Sequence, residues 1–240
     1  VTKLNNFQAH TPEDIKLLES AVSDERSFGK GEDVIREGNR THHVYLVVKG
    51  WACRYRTNSD GKIQILNYQI PGDFCNLHTT LTQKIEYSIA TLVPSVIAYI
   101  PHGRIDDIYT HHSRLTRSFN WLALNEISIL QEWLLNVGSR PSHQRLAHLL
   151  CEILIRARAA GLTEDHRLHL PLTQTQLGEA MGITQIHTNR VLKRLQAERL
   201  ITFDDRMLTI TDWQGIKEYA DFDARYLHLD NAEASLVNDL

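Results

Sequence analysis

The amino-acid sequence predicts an α+β chain in three parts: a jelly-roll-like β-barrel or sandwich, then a long connecting helix, then a winged helix-turn-helix. Three observations carry that prediction. Between Phe28 and about Ile100, Gly31, Gly38, Gly50, Gly61 and Gly72 punctuate short β-rich runs such as HHVYLVV, WACRYRT, IQILNYQI and SVIAYI. Regular turn signals between short strands point to an antiparallel barrel or sandwich. After Pro101 the apolar period switches from that of a strand to that of a helix. Residues 173–200, TQTQLGEAMGITQIHTNRVLKRLQAERL, read as two short helices about a tight glycine-containing turn.

In chain order, a short helix opens with Thr11 as N-cap, Pro12 at the first helical position, and Ile15, Leu17, Leu18 and Val22 as its apolar residues. Within the β region, SDG at 59–61 is a hairpin signal between WACRYRT and IQILNYQI. Beyond Pro101, Leu115, Leu122 and Ile129 recur every seven residues, with Phe119, Glu126 and Trp133 offset by four. That heptad seam is open to two readings, pairing with another helix or burial against its own domain. Gly138 is expected to end the helix, and Ser139 or Ser142 to start the next, whose apolar stripe is Leu146, Leu149, Leu150, Ile153, Leu154 and Ala157. The expected boundaries are therefore 1–102, 103–138 and 139–240, with a hinge near 137–140.

Within the helix-turn-helix, Thr173 and Gln176 form a T-x-x-Q capping box ahead of Leu177, Ala180 and Met181. Gly182 breaks that helix and Thr184 caps the next. Ile183, Thr188, Val191, Leu192 and Leu195 give the second helix a buried face, which leaves Gln185, Ile186, Asn189, Arg190, Lys193 and Arg194 outward. Amide and guanidinium groups are those that read base edges and hold phosphates. ITFDD and RMLTI then make two short strands around an acidic turn, the shape of a wing, and Asp212 caps a last helix, WQGIKEYA. The end of the chain is harder to read.

With 240 residues, 42% of them hydrophobic and 23% charged, the chain can bury a sizeable core and is expected to form two domains. No run of about 18 apolar residues would span a bilayer, and VTKLNNFQAH lacks the regions of a signal peptide, so a cytoplasmic protein without membrane partners is expected. Cys53, Cys75 and Cys151 are odd in number and widely spaced, which argues against a disulfide framework or zinc ribbon. The net charge is −3, yet residues 184–199 carry Arg190, Lys193, Arg194 and Arg199 against Glu198 alone, a local +3. Such a footprint fits nucleic acid. An enzyme is not expected, for the chain has no Gly-rich phosphate loop, no H-E-x-x-H and no serine elbow.

In order and spacing, GKGEDVIREG, LVVKG, the PGDF turn at 71–74 and LPLTQTQLGEAMGITQIHTNRVLKRLQAERLI resemble the Crp/Fnr superfamily of bacterial transcription regulators, over almost the whole chain. The resemblance implies a cyclic-nucleotide-binding-like β-roll, a dimerisation helix and a winged helix-turn-helix in a homodimer bound to double-stranded DNA. RNA polymerase is a further partner that it implies. The paired seam would then be Leu115, Phe119, Leu122, Glu126, Ile129 and Trp133, and two reading helices roughly 34 Å apart imply a pseudo-palindromic operator. The family's reading positions fall on Gln185, Ile186, Asn189 and Arg190, and its backbone-contacting positions on Thr175, Thr184 and His187, with Lys193 and Arg194 as added phosphate contacts. Arg190 suits guanine O6 and N7. Ile186 stands where the family usually has glutamate, so an altered half-site is expected.

In cyclic-nucleotide-binding relatives, the turn after GDF supplies a glutamate for the ribose and an Arg-Ser pair for the phosphate. The corresponding residues here are Asn76, Tyr87 and Ser88. A phenol cannot replace a bidentate guanidinium contact to phosphate, so cyclic AMP is not expected as effector, and the effector remains unnamed. The iron–sulfur branch needs cysteines near the N-terminus, and none precedes Cys53. Cys75 and His78 in FCNLH resemble the haem-ligating Cys-x-His of carbon-monoxide-sensing relatives, with one residue more between them. A haem- or thiol-based sensor using this pair is the alternative within the class, while no metal or other cofactor is expected. The alternative of another class is a ligand-binding or interaction module that no longer reads DNA.

Overall fold

The computed structural model describes residues 3–82, 84–164 and 166–229. Packing divides the chain into Val1–Glu126 and Ile127–Leu240, a cut that falls inside its longest helix.

The first unit opens with α1 (Pro12–Ala21), whose capping box is complete: Thr11 Oγ1 accepts from Asp14 N–H, and the Asp14 carboxylate accepts from Thr11 N–H. Strands β1 (Asp24–Phe28), β2 (Asp33–Ile35), β3 (His43–Lys49), β4 (Ala52–Thr57) and β5 (Ile63–Gln69) follow, then a single turn of helix, α2 (Thr79–Thr82), then β6 (Ser88–Thr91) and β7 (Ser95–Pro101). They form two antiparallel sheets, ordered β1-β7-β3 and β2-β6-β4-β5. The expected hairpin joins β4 to β5, with Asn58 Oδ1 accepting from Asp60 and Lys62 N–H.

Period-two alternation assigns each face of β3 and β7 a different core. Tyr45, Val47, Ile97 and Tyr99 pack with Ile35, Ala52 and Ile89 from the opposite sheet. Val44 and Ile100, one residue out of step, pack outward with Ala21, Leu77, Ile105, Ile108, Leu115 and Phe119. The latter core is helical: α3 (His102–His111) contributes Ile105 and Ile108, and the first half of α4 (Ser113–Ser139) contributes Leu115 and Phe119.

That packing corrects the seam expected from the heptad. Leu115 and Phe119 are fully buried in the first unit's own core, Phe119 edge-on to Phe74 and Tyr109, and Leu122 packs at its margin. Glu126 pairs with Arg54, while Ile129 and Trp133 are both 5% exposed. The physical reason is that a periodic stripe marks a buried face without naming what buries it. The outward side flanking this stripe carries Leu124, Ile127, Leu130 and Leu134, which are 64%, 50%, 40% and 75% exposed.

The expected helix break is also displaced. Gly138 lies within α4, and the break falls at Arg140–Pro141, because a residue before proline disfavours the helical region. Ser142 begins α5 (Ser142–Ala159). The second unit continues through β8 (Arg167–His169), α6 (Gln174–Met181), α7 (Gln185–Ala197), β9 (Ile201–Asp204), β10 (Met207–Ile210) and α8 (Trp213–Ala220) to a 3-10 turn at Ala224–Leu227. β8, β10 and β9 form one antiparallel sheet in that order.

Helix α5 is buried nearly all round, so each of its polar side chains needs a partner. Glu152, fully buried, accepts from Trp133 Nε1 at 2.9 Å, Tyr226 Oη at 2.9 Å and Arg156 Nη1 at 3.0 Å. His148 packs against the rings of Phe222 and Tyr226, with Nε2 3.1 Å from Glu132. Arg140 also holds Glu132, at 2.6 Å. Among the described residues, no helix is long and apolar enough to cross a membrane.

Candidate nucleic-acid interface

Two caps and one close approach set the geometry of α6 and α7. Thr173 Oγ1 accepts from Gln176 N–H at 3.2 Å and Gln176 Oε1 from Thr173 N–H at 2.9 Å, the expected capping box. Thr184 Oγ1 accepts from His187 N–H at 3.3 Å and starts α7. Gly182 ends α6 in the left-handed region, φ 66°, which glycine enters without penalty. Gly178 was not singled out in the sequence, yet a Cβ there would lie 2.5 Å from the Ile183 carbonyl oxygen. Only a residue without a side chain lets the turn fold back this tightly, and only the placement of the two helices discloses it.

With Thr188, Val191, Leu192 and Leu195 buried, α7 turns its other side outward. Gln185, Ile186, Arg190 and Lys193 are exposed, Ile186 to 69%. Thr175 and Thr184 are exposed as well, one in the first turn of α6 and the other capping α7. Three of the expected contact residues are partly engaged by the chain. Asn189 Nδ2 donates to Gln174 Oε1 at 3.1 Å, which couples the reading face to α6. The His187 ring shares a 2.7 Å hydrogen bond with Ser142 Oγ at the start of α5. Arg194 donates to Glu198 at 2.7 Å and sits 5.4 Å above the Tyr219 ring. Beside this face, β9 and β10 close through Asp205 and Arg206, at φ 43° and 61°. Both being positive, the tip has the backbone of a two-residue hairpin turn.

In the β-roll, the three positions that the resemblance assigned to an effector are occupied with the fold. Asn76 is fully buried, accepts from Tyr45 N–H at 2.7 Å and donates to the His43 carbonyl and Thr79 Oγ1, each at 2.9 Å. Tyr87 donates to the Cys75 carbonyl at 2.9 Å, and burial pushes its phenol up to about 12. Ser88 Oγ accepts from Glu37 N–H at 3.0 Å. Cys75 is fully buried too, and burial raises its thiol to about 12. His78 lies over the Tyr87 ring, 3.7 Å from Glu86, and burial lowers its pKa. Among the described residues, no group of three or more His, Cys, Asp or Glu is placed to hold a metal ion.

A two-sheet roll followed by a winged helix-turn-helix with an exposed amide and guanidinium face defines a DNA-binding transcription regulator. Comparison with known proteins names the family. A cyclic nucleotide-binding domain matches residues 25–112 and a Crp-like helix-turn-helix domain residues 144–219. The transcriptional activator Anr of Pseudomonas protegens is 25% identical over 200 residues, covering 83% of this chain and 82% of its own. FnrA of Stutzerimonas stutzeri is 23% identical over 204 residues, covering 85% and 83%. The structure of FixK2 from Bradyrhizobium japonicum matches with a TM-score of 0.74 at 21% identity, over 81% of this chain and 96% of that one. The chain belongs to the Crp/Fnr family of transcription regulators and is not an enzyme.

Proposed function

We propose that the chain acts as a homodimer that reads a pseudo-palindromic operator through Gln185, Ile186, Asn189 and Arg190, with no cyclic AMP bound. The exposed face of α7 carries this reading, since its apolar side is buried while its polar and basic side is open. Arg190 takes guanine, and Ile186 offers a thymine only a methyl contact. Asn189, its amide oriented by Gln174, completes the surface. Lys193 adds affinity without sequence information. Pairing is supported by the outward face of α4, Ile127, Leu130 and Leu134, in place of the seam that the fold buries. The absence of a cyclic-nucleotide response is supported by the inward bonding of Asn76, Tyr87 and Ser88. A haem or thiol sensor at Cys75 gains no support from so buried a thiol.

Selection of bound duplexes from a random library tests the reading. An enriched palindrome is expected, with Arg190→Ala losing about 1–3 kcal/mol of discrimination at one guanine per half-site. No enrichment, or enrichment indifferent to Arg190→Ala, would instead favour an interaction module.

A further inference from the structure

The polar groups at one end of the β-roll converge on Arg54. It stands on β4 opposite a bulge in β5, where the pairing steps from Asn67 to Ile65 between Arg54 and Tyr55. The residue is only 5% exposed. Nε donates to the Cys75 carbonyl at 2.6 Å and Nη2 to the Phe74 carbonyl at 3.3 Å, in the turn that follows β5. The Tyr87 ring centroid is 5.0 Å from the guanidinium, and its hydroxyl donates to the same Cys75 oxygen. On its far side the fork pairs with the Glu126 carboxylate of α4, Nη2 lying 3.2 Å from Oε2.

This cation sits beside Tyr87, where the sequence had removed the family's arginine. It is nevertheless not offered to an anion, because an intramolecular carboxylate already neutralises it, at the high effective concentration that a shared fold provides. The guanidinium is buried and the carboxylate half-buried, so removing Glu126 leaves a buried charge uncompensated, whereas replacing both partners by apolar groups is mild.

We propose that Arg54 and Glu126 are a positioning pair that ties the first half of α4 to β4 and to the turn after β5, holding the DNA-ready arrangement with no small molecule. The proposal rests on the chain being an operator-binding regulator. A ligand shifts an arrangement only through differential affinity, and the groups that would sense one here are bonded to other parts of the roll.

The test uses full-length protein and the selected operator duplex in fluorescence anisotropy, below the unfolding transition of every variant. Wild-type protein should bind without additive, and cyclic AMP or cyclic GMP should leave its Kd unchanged. Glu126→Gln and Arg54→Met should each weaken binding about tenfold or more, and the Arg54→Met/Glu126→Gln double variant no further, the non-additivity of a coupled pair. Hydrogen exchange on DNA-free protein should show residues 120–126 losing protection in Glu126→Gln while β3 and β7 keep theirs. Should the single variants fail to fold, Arg54→Met/Glu126→Leu restores an apolar packing and should fold yet bind weakly. Wild-type Kd in the folded variants, additive losses, unchanged exchange at 120–126, or a tenfold or greater tightening of wild-type binding by a cyclic nucleotide each overturns the proposal. If wild-type protein binds no duplex with or without cyclic nucleotide, the regulator reading fails instead, and exchange at 120–126 still decides whether the tie exists.

Discussion

Single residues decide how closely α6 and α7 approach and which side chains react. Gly178→Ala places a methyl against the Ile183 carbonyl, a backbone atom that cannot move aside. A loss of about 1–3 kcal/mol is expected from such overpacking, read by urea unfolding, while Gly103→Ala, with nothing within 4 Å of its added Cβ, leaves stability nearly unchanged. The cysteines make a second prediction. Cys53, Cys75 and Cys151 are all buried, so a thiol-specific disulfide reagent should titrate none of them quickly in native protein and all three after denaturation. Rapid native labelling of Cys75 would contradict its placement. At this scale the outward positions Gln185, Ile186 and Arg190 were legible, because a capped helix with an apolar stripe leaves little choice about which side chains face away. The Asn189–Gln174 contact and the need for glycine at 178 were not, since both depend on the distance between two helices, which sequence spacing does not encode.

Among the elements, α4 separates a pattern from its cause. Its heptad was visible in the sequence, but the side chains that repeat meet the chain's own core, and the face left outward repeats in a different phase. Phe119→Ala should therefore cost about 3–5 kcal/mol in unfolding free energy while leaving the proposed self-association intact. Leu134→Asp should reverse that pattern, with stability retained and the protein sedimenting as a monomer. Hydrophobic periodicity cannot distinguish burial within a copy from burial between copies, because the free energy of removing apolar surface from water is blind to connectivity. The strands and the wing were legible for the opposite reason, as their turns carry local conformational demands. The end of α4 shows both effects together. Gly138 permits a break, whereas Pro141 imposes one on the residue before it.

For the whole molecule, buried charge makes stability depend on pH. The His148 ring nitrogen first and the Arg140 guanidinium after it hold the Glu132 carboxyl below its ordinary range, against burial, which acts the other way. A carboxylate depressed in the folded state contributes stability that is complete above its unfolded pKa and is lost as pH falls through its folded one. The unfolding temperature of the second unit should therefore drop as the solution is acidified through and below the ordinary carboxylate range, and Glu132→Gln should flatten that dependence. Calorimetry across this range would show it, and an unchanged slope in the variant would remove Glu132 as its source.

The bonding of Glu152 also has a bearing on biosynthesis. Its carboxylate accepts from a tyrosine 74 positions further along the chain, so a nascent polypeptide has α5 long before it has the hydroxyl that completes the cluster around it. The β-roll strands pair within the first 101 residues and can form during translation. In the DNA-reading half, the donor set of Glu152 is complete only once Tyr226 has been made. A polypeptide stopped at Ala220 would carry both helices of the helix-turn-helix and the wing, but with Glu152 short of one donor and His148 without the rings packed on it, it should be captured by chaperones or proteases instead of reaching DNA.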